Sequence, residues 1–412
     1  MLIVKIKIAQ SAIYSVVILC VLYSFIRPVA SQTAPNIKVE TVAKGLENPW
    51  AVAFLPNGQF LVTERPGRLR VVTPGANGIG TVGPPILGLP AVVAGRQGGL
   101  LDLLLDADFA RNRTLFFCFS EAGQGSASAT NSAALARARL SSDATRLEDV
   151  KIIFSQHPKV ASNLHFGCRI VESRTDDKPD GLLFLTLGDR YTRKDDAQTL
   201  DNHHGKVVRI GKDGGVPTSN PFSGAPNGAS NTTLNPAVAA PARALPEIWS
   251  YGHRNLQGAA LAPDGTLWTT EHGPQGGDEI NLPRPGLNYG WPIITYGENY
   301  GGGKIGDGIS AKAGLEQPLH YWVPSIAPSG MAFLTSERYG KAWVGNLFVG
   351  SLKFGFLNRI ELSEPFKGKV LRETRLLEAQ RERIRDVRQG PDGLLYVLTD
   401  SGNGHLQRLI PQ

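Results

Sequence analysis

The chain has 412 residues, with 43 Lys and Arg against 36 Asp and Glu; 19% of residues are charged and 42% hydrophobic. That balance excludes a wholly disordered chain. Its 47 glycines and 28 prolines, without a collagen period, point to a turn-dense globular protein, and three cysteines are too few for a disulfide scaffold.

Lys5 and Lys7 precede an apolar run from Ile8 to Phe25, which Arg27-Pro28 breaks before the small residues Val29-Ala30-Ser31. This pattern predicts a secretory signal over 1–31, leaving 32–412 as one exported domain, periplasmic or secreted. The alternative is an uncleaved anchor, since a run of about 18 residues lies near the lower limit for spanning a bilayer. Association with a membrane is expected only in that case. Leu19 before Cys20 is too bulky for the usual lipoprotein pattern. Three of the 43 basic residues and no acid fall in 1–31, so the mature chain carries only +4. No Lys/Arg run suggests nucleic acid.

One short phrase returns along the chain. Asn57-Gly58, Asp180-Gly181, Asp264-Gly265 and Asp392-Gly393 each lead into a strand-forming run: QFLVTE, LLFLTLGD, TLWTTEHG and LLYVLTD. Each is a tight turn needing φ > 0 followed by β-rich residues. Weaker copies run over 113–119 and 346–352. Short apolar strands precede the four strong copies (51–55, 169–171, 259–261, 386–388), and third strands follow the first and last (69–72, 406–409). Six hairpin units that cannot bury their faces alone predict an all-β, six-bladed β-propeller. The Gly/Ala/Ser-rich 121–132 and the Pro/Asn/Gly/Ala-rich 214–246 read as surface insertions.

Several polar residues are not needed by this repeat. His165, in Asn163-Leu164-His165-Phe166-Gly167, is either a satisfied loop histidine or a base that takes a proton near neutral pH. Arg254 and Asn255 follow Trp249 and Tyr251; a packed arginine calls for an anion, from an internal ion pair or a ligand. The stretch from Glu271 to Asn281 joins carboxylates to a Gly/Pro loop, a mixture of oxygens suited to Ca²⁺ or, alternatively, a solvated acidic turn. Arg383 and Arg385 lie on the same side of an extended strand, with Lys353 in the preceding unit. They are either solvated surface charge or the seat of a multiply anionic ligand such as a polycarboxylate. The sequence has no zinc spacing, no dinucleotide fingerprint G-x-G-x-x-G opening a helix, no P-loop and no nucleophile elbow.

Taken together, these stretches resemble the soluble aldose sugar dehydrogenases that use pyrroloquinoline quinone (PQQ), and more distantly the soluble quinoprotein glucose dehydrogenase. The resemblance runs from about Glu47 to Leu409. It is carried by Gly95-Arg96-Gln97-Gly98-Gly99-Leu100, His165-Phe166-Gly167, Pro246 to Gly252, Gly276 to Asn281, Asn288 to Pro292 and Arg383 to Val387. It implies oxidation of an aldose at C1 to the lactone, with PQQ and Ca²⁺ as cofactors and a separate electron acceptor that the sequence does not identify. His165 falls at the family's catalytic base. Gln97, Arg254, Asn255 and Tyr300 match cofactor-pocket residues, and Arg254 would also polarise the quinone carbonyl. Ser351-Leu352-Lys353 and Arg383-Ile384-Arg385 match the tripeptides that hold the cofactor carboxylates. Gly273 and Pro274 match carbonyl ligands of the cofactor's Ca²⁺; Glu279 and Tyr289 match ligands of a second, structural Ca²⁺. The implied assembly is a monomer or homodimer.

Leu164 stands where the glucose enzyme has an acid before the base, so the resemblance leaves the partner of His165 unassigned. Nothing in the sequence says whether Cys118 and Cys168 pair. Two other functions fit a propeller: a Ca²⁺-dependent lactonase-type hydrolase, which needs carboxylate or Asn ligands from several blades around one channel metal, and a non-enzymatic propeller that binds glycan or protein.

Overall fold

The structure is a computed structural model and describes residues 36–76, 78–223 and 244–412. The expected signal or anchor segment, 1–31, lies outside the described residues, as does most of the 214–246 insertion. Among the described residues no helix is long and apolar enough to cross a membrane.

Six four-stranded antiparallel sheets form the blades of a β-propeller. Their innermost strands are Pro49–Phe54, Leu100–Leu105, Gly167–Thr175, Leu256–Leu261, Pro328–Phe333 and Ile384–Gln389, for blades 1 to 6 in turn. Neighbouring inner strands touch all the way round, the sixth against the first. The recurring phrase supplies the second strand of every blade: Phe60–Glu64, Thr114–Ala122, Lys178–Leu187, Leu267–Glu271, Leu347–Ser351 and Leu395–Thr399. In blades 1, 4, 5 and 6 this strand is buried along its whole length. Burial on both faces explains why the phrase reads as an apolar run rather than an alternation. The four strong turns carry their glycines at φ of 77° to 84°, as the turn chemistry requires.

The ring closes by a device the repeat did not announce. Strand Ile37–Leu46 pairs with Gly404–Pro411, from Ile37 opposite Pro411 to Leu46 opposite Gly404. The first strand of the domain is therefore the outermost strand of blade 6. Closure leaves no open end between first and last blades. Cys118 of blade 2 and Cys168 of blade 3 form a disulfide with Cα atoms 5.7 Å apart, which settles the pairing left open above. Such a link typically contributes about 2–4 kcal/mol.

The central channel is plugged by charge. Arg169 of blade 3 reaches Asp102 of blade 2 at 3.2 Å and Asp386 of blade 6 at 2.9 Å. Its Nε donates to the Gln257 carbonyl of blade 4 at 2.7 Å, and its plane lies 4.0 Å from the Trp50 ring of blade 1. Arg388 adds bonds to both acids. A buried arginine persists only where every donor finds a partner, and five blades meet to supply them.

Candidate active site

His165 sits in the loop that leads into the inner strand of blade 3, with φ of +49°. Three contacts hold it there. Gln97, from the loop between blades 1 and 2, accepts the His165 backbone N–H at 2.7 Å. Arg190 clamps the preceding residues: its Nε donates to the Leu164 carbonyl at 3.1 Å, its Nη2 to Asn131 Oδ1 at 2.7 Å, and its plane covers the Phe166 ring at 3.8 Å. Asp189, at the end of blade 3's second strand, meets His165 Nδ1 at 2.6 Å.

Asp189 is the partner the sequence left unassigned. Its Oδ1 also accepts the Tyr191 N–H at 2.8 Å, and its Oδ2 accepts Trp291 Nε1 at 2.8 Å. Burial alone would raise its pKa, but the imidazole beside it brings the carboxyl below the usual range. Burial pushes His165 below its ordinary value; Asp189 opposes this and Arg254 adds to it. At neutral pH the pair is therefore an ionised carboxylate and a neutral imidazole. The carboxylate fixes the proton on Nδ1 and leaves the Nε2 lone pair for an incoming O–H.

His165 lines a small cavity of about 230 Å³ with Asp189, Tyr191, Arg254, Trp291 and Tyr300 among its walls. Pro274 and Tyr300 also line a larger one of about 950 Å³, so the two adjoin. Gln97, Asn255, Gly273, Leu352, Lys353, Arg383 and Arg385 all face the larger cavity. Most of the residues predicted for a cofactor therefore converge on one space. Arg254 donates from Nη1 to the His272 carbonyl at 2.9 Å and stacks 5.2 Å from Trp291, while its buried Nε has no partner.

Arg254 lines the smaller cavity, and two predicted cofactor residues line neither. Ser351 is fully buried and donates to the Ile326 carbonyl at 2.7 Å. Ile384 is buried in the apolar core, and its carbonyl accepts from Ser329 Oγ at 2.6 Å. The strand alternation that aims Arg383 and Arg385 at the cavity turns Ile384 away from it.

Neither alternative for Arg383 and Arg385, solvated charge or the seat of a ligand, included an acid of the protein itself. Asp400 Oδ2 receives Arg385 at 2.7 Å and Arg383 at 3.1 Å. This acid ends blade 6's second strand, and the two guanidiniums hold it well below the usual carboxylate range although burial opposes them. The site still has spare donors. Among the described residues Arg385 Nε is buried without a partner, and the Lys353 side chain has only the Phe354 ring, 5.1 Å away.

The residues fit a cation at two places. The carbonyls of Gly273 and Pro274 accept no hydrogen bond among the described residues, and both residues line the large cavity. Behind them, Asn281 Nδ2 donates to Glu271 at 2.8 Å and Glu279 at 2.9 Å, which leaves Asn281 Oδ1 buried and orphaned. Burial, followed by the charge of Glu271, pushes Glu279 up to about 8. Two crowded carboxylates and an otherwise unpaired amide oxygen form a donor set that suits a hard cation. Tyr289 stacks on His253 at 4.7 Å, and His253 in turn meets Glu271 at 2.9 Å. Among the described residues no three His, Cys, Asp or Glu side chains gather at metal distance, so backbone and amide oxygens must complete either site. The channel carboxylates that a lactonase-type metal would use, Asp102 and Asp386, are already paired with Arg169 and Arg388.

Residues 46–408 match the family model described as glucose/sorbosone dehydrogenase. The chain belongs to that family. It is 42% identical over 380 residues to aldose sugar dehydrogenase YliI of Escherichia coli K12, covering 92% of this chain and 94% of that protein. The crystal structure of the soluble E. coli aldose sugar dehydrogenase in its apo-form superposes with a TM-score of 0.80 at 40% identity, over 92% of this chain and 100% of that one. The PQQ-bound aldose sugar dehydrogenase of Streptomyces coelicolor gives 0.68 at 26% identity, over 91% and 100%. This member is thus a propeller oxidoreductase similar to the soluble aldose sugar dehydrogenases, and the His165–Asp189 pair lines the smaller of its two adjoining cavities.

Proposed function

We propose that the protein oxidises aldose sugars at C1 to lactones, using PQQ and Ca²⁺, as an exported enzyme that passes electrons to a separate acceptor. The observation that carries this reading is the His165–Asp189 pair, set in a small cavity that opens beside a cation-lined one with unpaired buried donors.

The sugar would occupy the smaller cavity, whose walls include the aromatic side chains of Tyr191, Trp291 and Tyr300. His165 Nε2 takes the proton of the anomeric hydroxyl as the C1–H bond breaks. Asp189 keeps the imidazole in the right tautomer and stabilises the imidazolium that results. When bound, PQQ supplies the two-electron acceptor for the C1 hydride. Lys353, Arg383 and Arg385 would hold its carboxylates; Arg254 and a cation on the Gly273 and Pro274 carbonyls would meet negative charge as it develops. Glu279, with Tyr289, would hold the second cation.

The test is reconstitution. Purified apo-protein given PQQ, Ca²⁺, an aldose and a dye acceptor is expected to reduce the dye and form lactone. No dye reduction across a broad panel of aldoses would sink the reading.

A further inference from the structure

The charge of the larger cavity does not close with the trio alone. Five cationic side chains line it: Arg65, Arg96, Lys353, Arg383 and Arg385. Two acids, Glu298 and Asp400, line it as well. The excess is three positive charges. Without Arg65 and Arg96 the excess falls to one, Lys353, Arg383 and Arg385 standing against Glu298 and Asp400.

Neither Arg65 nor Arg96 has a side-chain hydrogen-bond or ion-pair partner among the described residues. The acid next to Arg65 in sequence is not available to it. Glu64 accepts from Arg68 Nε at 2.6 Å and from the Glu47 N–H at 2.7 Å. Yet Arg65 is held firmly at its backbone. Its N–H donates to the Asn48 carbonyl at 3.1 Å and its carbonyl accepts the Leu100 N–H at 3.1 Å. Gly99, at φ +155°, lets it approach: a Cβ there would stand 2.0 Å from the Arg65 carbonyl oxygen and 2.5 Å from its Cγ. Arg96 sits in the tight turn closed by Gly98 N–H to the Gly95 carbonyl at 2.8 Å, next to Gln97. Arg65 is half-buried, and a guanidinium fixed at its base with no protein partner at its tip can take an anion from the cavity; Arg96 stands exposed beside it.

We propose that Arg65, assisted by Arg96, forms a second cationic edge of the cofactor cavity, contributed by blade 1 and the loop that follows it. This edge meets the carboxylate charge of the tricarboxylate cofactor that Lys353, Arg383 and Arg385 leave unbalanced. The inference rests on the PQQ reading above and deepens it: the cofactor is gripped from two sides of the ring rather than one.

The experiment is a fluorescence titration of Ca²⁺-loaded apo-protein with PQQ, at low and high salt. It compares wild type, Arg65→Ala, Arg65→Lys, Arg96→Ala and Arg383→Ala, each first shown by thermal melting to be folded. Arg65→Ala is expected to weaken binding about 10- to 100-fold, the range of a charge-assisted hydrogen bond, and to flatten the salt dependence. Arg96→Ala is expected to do so about threefold, and Arg65→Lys to recover part of the loss because charge is kept. The trimethyl ester of PQQ should bind wild type and Arg65→Ala alike. Wild-type affinity in Arg65→Ala, with Arg383→Ala still impaired, overturns this inference and leaves the functional reading intact; equal losses with acid and ester overturn it too. Failure of wild type to bind PQQ at all removes both.

Discussion

The two cavities are built on opposite electrostatic plans. Around His165 the acid is fully engaged: Asp189 receives three donors, and one lone pair of the imidazole is left over. Around Arg385 the protein supplies one acid to two arginines, and donors are left over. The first arrangement is a base held in one tautomer; the second is a receptor that lacks negative charge. The comparison teaches that surplus acceptors and surplus donors, rather than conspicuous side chains, separate the part of the site that would move protons from the part that would hold the proposed cofactor.

The largest effect that would sharpen this division is His165→Ala. It is expected to lower kcat about 10²- to 10⁴-fold while PQQ affinity, measured by titration of apo-protein, stays at the wild-type value. Asp189→Asn keeps the shape but loses the charge that fixes the tautomer, and a fall in kcat of about 10²-fold or more is expected, again without loss of cofactor binding. Equal losses of kcat and affinity in these variants would break the comparison. On the other side of the site, Arg383→Ala is expected to weaken PQQ binding about 10-fold and to leave kcat at saturating cofactor near wild type. Loss of turnover at saturation with affinity unchanged would reverse its assignment.

Smaller effects follow from titration and from metal. Burial lowers the His165 pKa, so the base stays unprotonated below its ordinary 6.5. The acid limb of kcat is therefore expected below pH 6.5, with activity retained as pH falls through that value and lost only further down. A limb above 6.5 would show that the imidazole is not desolvated as described. Ca²⁺ added to chelated protein is expected to raise the melting temperature, by about 2.7 kcal/mol of stabilisation at a hundred times its Kd. Glu279→Gln should blunt that response; an undiminished shift would move the cation elsewhere.

Much of this was legible before any coordinates. The φ > 0 turns reported the second strands of blades 1, 3, 4 and 6 and the apolar runs those of blades 2 and 5, because the apolar run of each strand is largely buried and tolerates little else. What escaped notice lay in plain view within the same phrase. Three of its strong copies and the first all reach an acid at or just past the strand end: Glu64, Asp189, Glu271 and Asp400. They read as repeat punctuation, yet Asp189 orients His165, Glu271 meets His253 and the Arg254 backbone, and Asp400 joins the two arginines. An acid returning where strands reach the loops was the available signal. Ring closure by Ile37–Leu46 left no comparable trace, since a single outer strand at the start of a domain carries no repeat of its own. Ser351 and Ile384 came in with the tripeptides that contain them, whereas strand alternation by itself separates Ile384 from its neighbours.

The most direct measurement is an anaerobic absorption spectrum of Ca²⁺- and PQQ-reconstituted protein, wild type and His165→Ala, before and after an aldose is added. The account predicts that both proteins take up the cofactor saturably, and that sugar rapidly converts only the wild-type spectrum to that of the reduced cofactor. A wild-type spectrum unmoved by every aldose tried, or a His165→Ala spectrum that changes as fast as wild type, would contradict it.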